Sequence, residues 1–285
     1  HNELSRKVSI TRLGEGMDSS GSLSAEAMER TRKQVIEYVN EAISLGAQHA
    51  NVFATAGCRA SSNGSEFIES LNGLENIKAD IIDGDTEAKT SFNGAVGAFD
   101  LSHTALPIAV IDIGGGSTEI AVSSMTDSKV CHSFVSIPIG SARITERYLE
   151  SDPPIPEELT NAIGDVRDSI ADAIVANPYL SNAKTFIGVA ATFTTAAAIE
   201  IGMREFDATK IHGFILTREM AEDVFRTLAT EDLESRKFNP GLEPERAHLI
   251  VGGLCILVGV MRHFDLAQIS ISCTDLLDGL YQRVV

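Results

Sequence analysis

The residues with the clearest chemical potential lie in one short stretch, Asp-Ile-Gly-Gly-Gly-Ser-Thr-Glu, which runs from Asp112 to Glu119. Glycine lets a backbone turn tightly and approach a ligand without an interfering Cβ atom. Successive N–H groups in such a turn form a concave site for an anion. A carboxylate on either side would repel phosphate unless a divalent cation lay between them, so the stretch predicts phosphate handling with Mg²⁺. The plain alternative is a tight turn with no ligand.

The flanking residues predict that this stretch is a hairpin. An apolar, largely β-branched run, 108–113, precedes the glycines, and a second strand-like run, 118–122, follows them at once. A run of this kind is typical of a strand buried on both faces. Neither a dinucleotide-binding turn nor a P-loop fits, because no helix and no Gly-Lys-Ser/Thr sequence follows.

Two other residues could act on a phosphate group. Arg59 follows a predicted strand and could hold phosphate with its planar guanidinium, or it could be a solvated surface group. Glu87 lies in the first turn of a predicted helix, where an acidic side chain favours the helix dipole by about 0.3–1 kcal/mol. On position alone, this structural role is the better explanation of Glu87.

The elements that would position these residues alternate between strands and helices, which predicts an α/β fold with a parallel layer. Two β-rich halves, each followed by helices, indicate an internal duplication of the actin-like (ribonuclease H-like) kind. We therefore expect two domains facing across a cleft, residues 1–106 with 274–285 and residues 107–273. The longest helix is predicted over 243–264, with Gly252 and Gly253 inside it because of close packing or a ligand.

The overall composition restricts the partners. The 285 residues are 44% hydrophobic and carry a formal net charge of −17, which argues against duplex nucleic acid and anionic membranes as partners. No apolar run approaches the roughly 20 residues needed to span a bilayer. The cysteines show no metal-ligand spacing and are typical of thiols in a reducing compartment, so we expect a cytoplasmic protein. A homodimer is compatible with the sequence.

Several motifs together resemble the exopolyphosphatase / guanosine pentaphosphate phosphohydrolase family of the actin-like superfamily. They span nearly the whole chain in the order expected of that family. The motifs are Thr-Ala-Gly-Cys-Arg at 55–59, Asp-Gly-Asp-Thr-Glu-Ala at 83–88, Ile-Asp-Ile-Gly-Gly-Gly-Ser-Thr-Glu at 111–119, Ile-Pro-Ile-Gly-Ser-Ala-Arg at 137–143, and Pro-Gly-Leu at 240–242 with Arg246 ahead of Gly252-Gly253.

The resemblance implies an enzyme that removes the terminal phosphate from inorganic polyphosphate or guanosine pentaphosphate with Mg²⁺. It also implies roles for individual residues, and it changes the expected role of Glu87 from a helix-end acid to a catalytic base. Glu119 is the other candidate for that base, and the sequence leaves the choice between the two glutamates open. The implied roles are Glu87 and Glu119 as the functional glutamates, Asp112 and Glu119 as metal or water ligands, Arg59 as a phosphate contact, and Gly114, Gly115, Gly116 and Ser117 as the second phosphate loop.

The sequence departs from the family pattern at two places. The family's first phosphate hairpin, Asp-x-Gly-Ser/Thr-Asn-Ser/Thr, is expected just before His1. Near the C-terminus, Leu277-Asp278-Gly279 stands where the family has Leu-Arg-Glu-Gly, so one basic contact is in question. The absence of further helical domains indicates the short, two-domain form.

Two other functions stay open at the level of sequence. A small-molecule kinase with the actin-like fold would share the hairpins and would need an adenosine pocket near residues 188–192. A non-catalytic sensor of guanosine polyphosphates would keep the phosphate site without turnover.

Overall fold

The computed structural model describes residues 3–284, which divide between Asp83 and Gly84 into two compact units. In the first unit, two strands pair in parallel, in agreement with the predicted parallel layer. Its longest helix begins after Ser24, whose side chain accepts a hydrogen bond from the Ala27 N–H at 3.1 Å. The elements are α1 (Met17–Ser20), α2 (Ala25–Ser44), β1 (Ala50–Ala54), α3 (Ala56–Ala60), α4 (Gly64–Asn72) and β2 (Ile77–Ile81).

The second unit contains a six-stranded sheet in the order β5-β4-β3-β6-β8-β7. Its strands are β3 (Ile108–Ile113), β4 (Thr118–Ser123), β5 (Cys131–Ile137), β6 (Thr185–Val189), β7 (Ile215–Thr217) and β8 (Gln268–Ile271). Strand β3 is buried along its whole length, as its apolar sequence predicts. It pairs antiparallel with β4 and parallel with β6, so the predicted hairpin is confirmed.

The remaining elements of this unit are helices, which pack on the sheet or on one another. They are α5 (Gly84–Gly97), α6 (Ser141–Tyr148), α7 (Pro156–Ala176), α8 (Ala191–Glu200), α9 (Ala208–Ile211), α10 (Arg218–Thr230), α11 (Leu233–Arg236), α12 (Ile250–His263) and α13 (Leu276–Val284), with 3₁₀ turns at Pro178–Asn182 and Pro244–Arg246. None of the helices between residues 3 and 284 has the length and apolarity that crossing a membrane requires.

The predicted helix over 243–264 is wrong in its first turns. The Arg246 N–H donates to the Glu243 carbonyl and the Leu249 N–H to the Arg246 carbonyl, which are 3₁₀ bonds between residues three apart. The α-helix itself begins only at Ile250. Apolar spacing alone does not distinguish the two kinds of turn. The longest helix is instead the 21-residue α7.

The compact units also differ from the predicted domains. The prediction assigned residues 84–106 and 274–285 to the N-terminal domain, whereas contacts place residues 84–106 and 274–284 in the second unit. The reason is that α5 packs against α13 and also lies against β3, β4 and β5. Glycines permit this close approach, since a Cβ atom at Gly94 would overlap the Asp275 backbone just before α13, and one at Gly279 would overlap the Thr90 backbone of α5.

Candidate active site

The hairpin places two acidic side chains side by side. Asp112 on β3 and Glu119 on β4 are direct partners in the antiparallel register, so their side chains share one face of the sheet about 5 Å apart. Both are buried, Glu119 with only 3% of its surface exposed. Burying two neighbouring carboxylates is costly unless hydrogen bonds or a cation stabilise them.

A serine hydroxyl holds each of these carboxylates. Ser91 on α5 donates to Asp112 Oδ2 at 2.6 Å, and Ser136 on β5 donates to Glu119 Oε1 at 2.6 Å. Ser136 is the register partner of Glu119 across β4 and β5. Sequence analysis missed both serines. The signal for Ser91 was its spacing of four residues from Glu87, which places the two on one helix face.

Glu87 joins the same group of acids from the first turn of α5. It is buried, with 7% of its surface exposed, and its charge acts on both Asp112 and Glu119. The charge of Asp275, which precedes α13, also acts on Asp112. The structure thus brings together three predicted site residues, Glu87, Asp112 and Glu119, and adds a fourth acid. We call these four residues the acidic cluster.

Burial and mutual repulsion change the acidity of the cluster. Burial raises the pKa of Asp112 to about 6, against the Ser91 hydrogen bond and with help from the charges of Asp275 and Glu87. Burial, followed by the charges of Asp112 and Glu87, raises the pKa of Glu119 to about 7. Carboxyl groups that titrate near neutral pH in a buried group are typical of functional sites.

These raised pKa values predict a pH-dependent stability in protein freed of divalent cations by a chelator. A carboxyl whose pKa is higher in the folded than in the unfolded chain favours folding when protonated, and this contribution is lost as the pH rises through the folded pKa. We expect stability to fall between about pH 5 and about pH 8, by about 3 kcal/mol from Glu119 alone. Urea unfolding at several pH values measures it.

Glu119→Gln serves as the matched control for this pH dependence, because it removes one titrating group and leaves all others in place. Its unfolding free energy should vary less with pH than that of the wild type. An identical slope in the two proteins would show that Glu119 does not titrate in this range.

The glycine loop is held by α6. The Gly114 N–H donates to the Ser117 carbonyl at 3.0 Å and closes the turn. The Gly114 carbonyl accepts from the Ser141 N–H at 2.9 Å, and the Gly115 carbonyl from the Ala142 N–H at 3.0 Å. The first N–H groups of α6 are therefore used in orienting the loop rather than in binding a ligand.

This orientation leaves two loop donors facing away from α6. The N–H and C=O of one trans peptide point in opposite directions, so the N–H groups of Gly115 and Gly116 point away from the helix. Neither N–H has a protein acceptor among residues 3–284. Gly115 is also exposed to solvent. The loop thus presents two adjacent donors, as the predicted anion site requires.

The acidic cluster fits a magnesium ion whose coordination shell is completed by waters and by the substrate. Mg²⁺ prefers oxygen ligands and is commonly bound by one or two carboxylates, several waters and substrate phosphates. Asp112 and Glu119 supply such a pair. Between residues 3 and 284, no three His, Cys, Asp or Glu side chains form a full metal cage. The magnesium prediction therefore stays a prediction, with Asp112 and Glu119 as its ligands.

Comparison with known proteins identifies the family. The sequence profile of the Ppx/GppA phosphatase family matches residues 1–284. The chain belongs to this family. Exopolyphosphatase 2 of Mycobacterium tuberculosis is 33% identical over 98% of this chain and 88% of its own length. A guanosine-5'-triphosphate,3'-diphosphate pyrophosphatase of Pseudoalteromonas translucida is 26% identical over 97% of this chain and 52% of its own length.

Solved structures of Ppx/GppA proteins have the same fold. An exopolyphosphatase-like protein superposes with a TM-score of 0.92 at 27% identity, covering 100% of this chain and 94% of the other. The Aquifex aeolicus family member gives a TM-score of 0.75 at 25% identity, covering 97% and 87%. The predicted α/β fold of actin-like type is confirmed, and the protein is a phosphatase of the Ppx/GppA family.

Of the residues that the family resemblance singles out, Arg59 is the one that lies in the first unit. It ends the short helix α3, and its Nη1 donates to the Ile82 carbonyl at 2.8 Å. This bond fixes the base of the guanidinium on the end of β2. Its contact with phosphate stays a prediction.

Ala190 has a strained backbone at the turn between β6 and α8. Its φ of 70° and ψ of 179° fall in a region that is almost restricted to glycine and costs other residues about 1–3 kcal/mol. The turn lies beside the acidic cluster, because Val189 on β6 pairs with Asp112 on β3. Backbone strain of this kind clusters at active sites and ligand-binding turns.

Ala190→Gly is expected to stabilise the protein by about 1 kcal/mol, because the strain it relieves exceeds the extra backbone entropy of glycine. Thermal or urea unfolding measures the gain. Ala191→Gly, at the first residue of α8, is the neighbouring control and should lower stability by up to about 1 kcal/mol. Equal losses in the two variants would contradict the strain at Ala190.

Proposed function

We propose that this phosphatase removes the terminal phosphate from inorganic polyphosphate or guanosine pentaphosphate by magnesium-assisted attack of water. One observation carries the proposal. The two outward N–H groups of Gly115 and Gly116 lie at the tip of the same hairpin that pairs Asp112 with Glu119. Two anion donors and a pair of acids that would suit a cation are thus part of one hairpin, and named relatives act on these two substrates.

Hydrolysis of a phosphoric anhydride mainly requires positioning and neutralisation of charge on the transferred group. The loop N–H groups would hold the oxygens of the terminal phosphate, and Arg59 is proposed to contact the same chain. A bound Mg²⁺ would add charge neutralisation beside Asp112 and Glu119. Hydrogen bonds from α6 anchor the loop, and such anchoring favours the preorganised donors that effective electrostatic stabilisation requires.

The remaining task is to orient and deprotonate the attacking water. Glu119 is held by Ser136 and lies opposite Asp112, which suits a fixed ligand. Glu87 approaches from a different element, the first turn of α5. We therefore assign the general base to Glu87, an effect typically worth about 10²–10⁴-fold in rate.

The direct test compares phosphate release from polyphosphate, guanosine pentaphosphate and ATP under the same conditions, with Glu87→Gln to show that the activity belongs to this site. Release from either of the first two supports the proposal. Phosphate transfer from ATP to an acceptor would support the kinase instead, and binding without release would support the sensor.

The kinase alternative needs an adenosine pocket near residues 188–192. The structure has a cavity of about 490 Å³, but it is lined by residues 201–207 and Lys210, beyond the C-terminal end of α8. The ten residues of α8 separate that cavity from the turn at Ala190 by about 15 Å. The cavity therefore does not coincide with the segment that the kinase alternative uses.

A further inference from the structure

Gly140 lies directly behind the phosphate-binding loop. A Cβ atom added there would lie 2.5 Å from the Gly116 nitrogen and closer still to the Gly115 carbonyl. These are backbone atoms of the loop, so a side-chain rotation cannot relieve the overlap. The φ of −140° and ψ of 164° at Gly140 are ordinary extended values that any residue adopts. Glycine is therefore required here because there is no room for a Cβ atom, and not because of the backbone conformation.

A second glycine, Gly252, supports the loop indirectly, because it packs against α6, the helix that holds the loop. Gly252 lies in the first turn of α12. A Cβ atom added to it would overlap Thr145 Oγ1 of α6, and it would lie 2.5 Å from the Ser141 carbonyl oxygen and 3.0 Å from the Thr145 nitrogen. Ser141 is also the residue whose N–H holds the Gly114 carbonyl. Helix α12, helix α6 and the loop are thus stacked backbone against backbone.

We propose that Gly140 and Gly252 are positioning residues for phosphate binding. By letting the three backbones approach closely, they fix the directions of the Gly115 and Gly116 N–H groups toward the substrate. A hydrogen bond weakens steeply once its donor angle falls below about 120°, so a loop displaced by a single methyl group can lose donor strength while the fold is kept. This inference rests on the proposed function for its substrate and extends it to residues that touch no substrate.

Gly140→Ala is expected to lower kcat/KM for polyphosphate by about 100-fold, the typical effect of losing a positioned donor. Gly252→Ala should produce a smaller loss in the same direction, because it displaces the loop only through α6. Gly252→Ala replaces Gly140→Ala as the test variant if Gly140→Ala does not fold. A second measurement, independent of turnover, is the rise in melting temperature on adding inorganic triphosphate. Wild type should show this rise and Gly140→Ala should lose it.

Gly259→Ala is the matched control. Gly259 lies two turns further along α12, and its added Cβ would lie 2.6 Å from Val166 Cγ1 of α7, far from the contact with α6. This variant should be destabilised, yet keep kcat/KM within about threefold of wild type and keep the stabilisation by triphosphate.

The outcomes separate the inference from the proposed function. If wild type releases no phosphate but Gly140→Ala, unlike Gly259→Ala, loses the stabilisation by triphosphate, the proposed reaction fails and the positioning role stands. Equal losses of kcat/KM in Gly140→Ala and Gly259→Ala would overturn the inference, and so would triphosphate stabilisation that Gly140→Ala retains. A wild type that triphosphate does not stabilise would overturn it as well.

Discussion

Replacing Glu87 with glutamine is expected to lower kcat by about 10²-fold or more while KM and the fold change little. Glutamine keeps the shape of the side chain and most of its hydrogen bonding, but it cannot accept a proton from water. Glu87 is buried and its charge acts on Asp112 and Glu119, which a solvated residue at a helix end would not do. Steady-state phosphate release and thermal unfolding measure the two effects.

Glu219→Gln provides the control for Glu87→Gln. Glu219 also lies in the first turn of a helix, α10, but it is exposed. A first-turn glutamate that only favours the helix dipole contributes at most about 1 kcal/mol of stability, and its replacement should leave turnover unchanged. If the Glu87 variant behaved like the Glu219 variant, the role of base would pass to Glu119.

Asp112→Asn is the other change with a large expected effect, a loss of magnesium-dependent activity of about 10²-fold or more. Asparagine keeps an oxygen that can accept the Ser91 hydroxyl, so the buried bond from α5 survives. The variant loses the negative charge that a divalent cation requires beside Glu119. Activity titrated with Mg²⁺ measures the effect, and we expect a much weaker apparent affinity together with the lower rate.

A control for charge alone is Asp168→Asn on the exposed face of α7. It removes one acidic group from a chain of net charge −17 without touching the cluster, and its magnesium titration should match that of wild type. An Asp112 variant with the magnesium dependence and rate of wild type would exclude Asp112 as a ligand.

The sequence was informative where a local pattern determines local structure. The run 108–113, the glycines and the run 118–122 predict the hairpin, because a buried strand, a tight turn and a return strand each have a distinct residue pattern. The hairpin alone then places Asp112 opposite Glu119, since the turn length fixes the register. That part of the site needed no knowledge of the rest of the fold.

The parts that could not be predicted depend on how distant elements pack. Ser91 reaches Asp112 only because α5 lies across the sheet at one particular rotation. Ser136 bonds Glu119 because of the offset between β4 and β5, in a ladder whose register shifts at Val122/Ser123. In the sequence, Gly140 resembles an ordinary turn residue, and only the structure shows that the glycine loop packs against it. Residue spacing places Ser91 on the same helix face as Glu87, but it does not show which distant residue each of these side chains contacts.

The hydrogen bonds between α6 and the loop have an electrostatic consequence. In a helix every N–H points toward the N-terminus, and the peptide dipoles add along the axis. The Gly114–Gly115 and Gly115–Gly116 peptides accept from the first N–H groups of α6, and their own N–H groups point onward, so their dipoles are aligned with those of the helix. The dipoles of the two loop peptides thus add to the dipole of α6. An anion bound to the loop feels the positive end of the helix although it touches none of its residues.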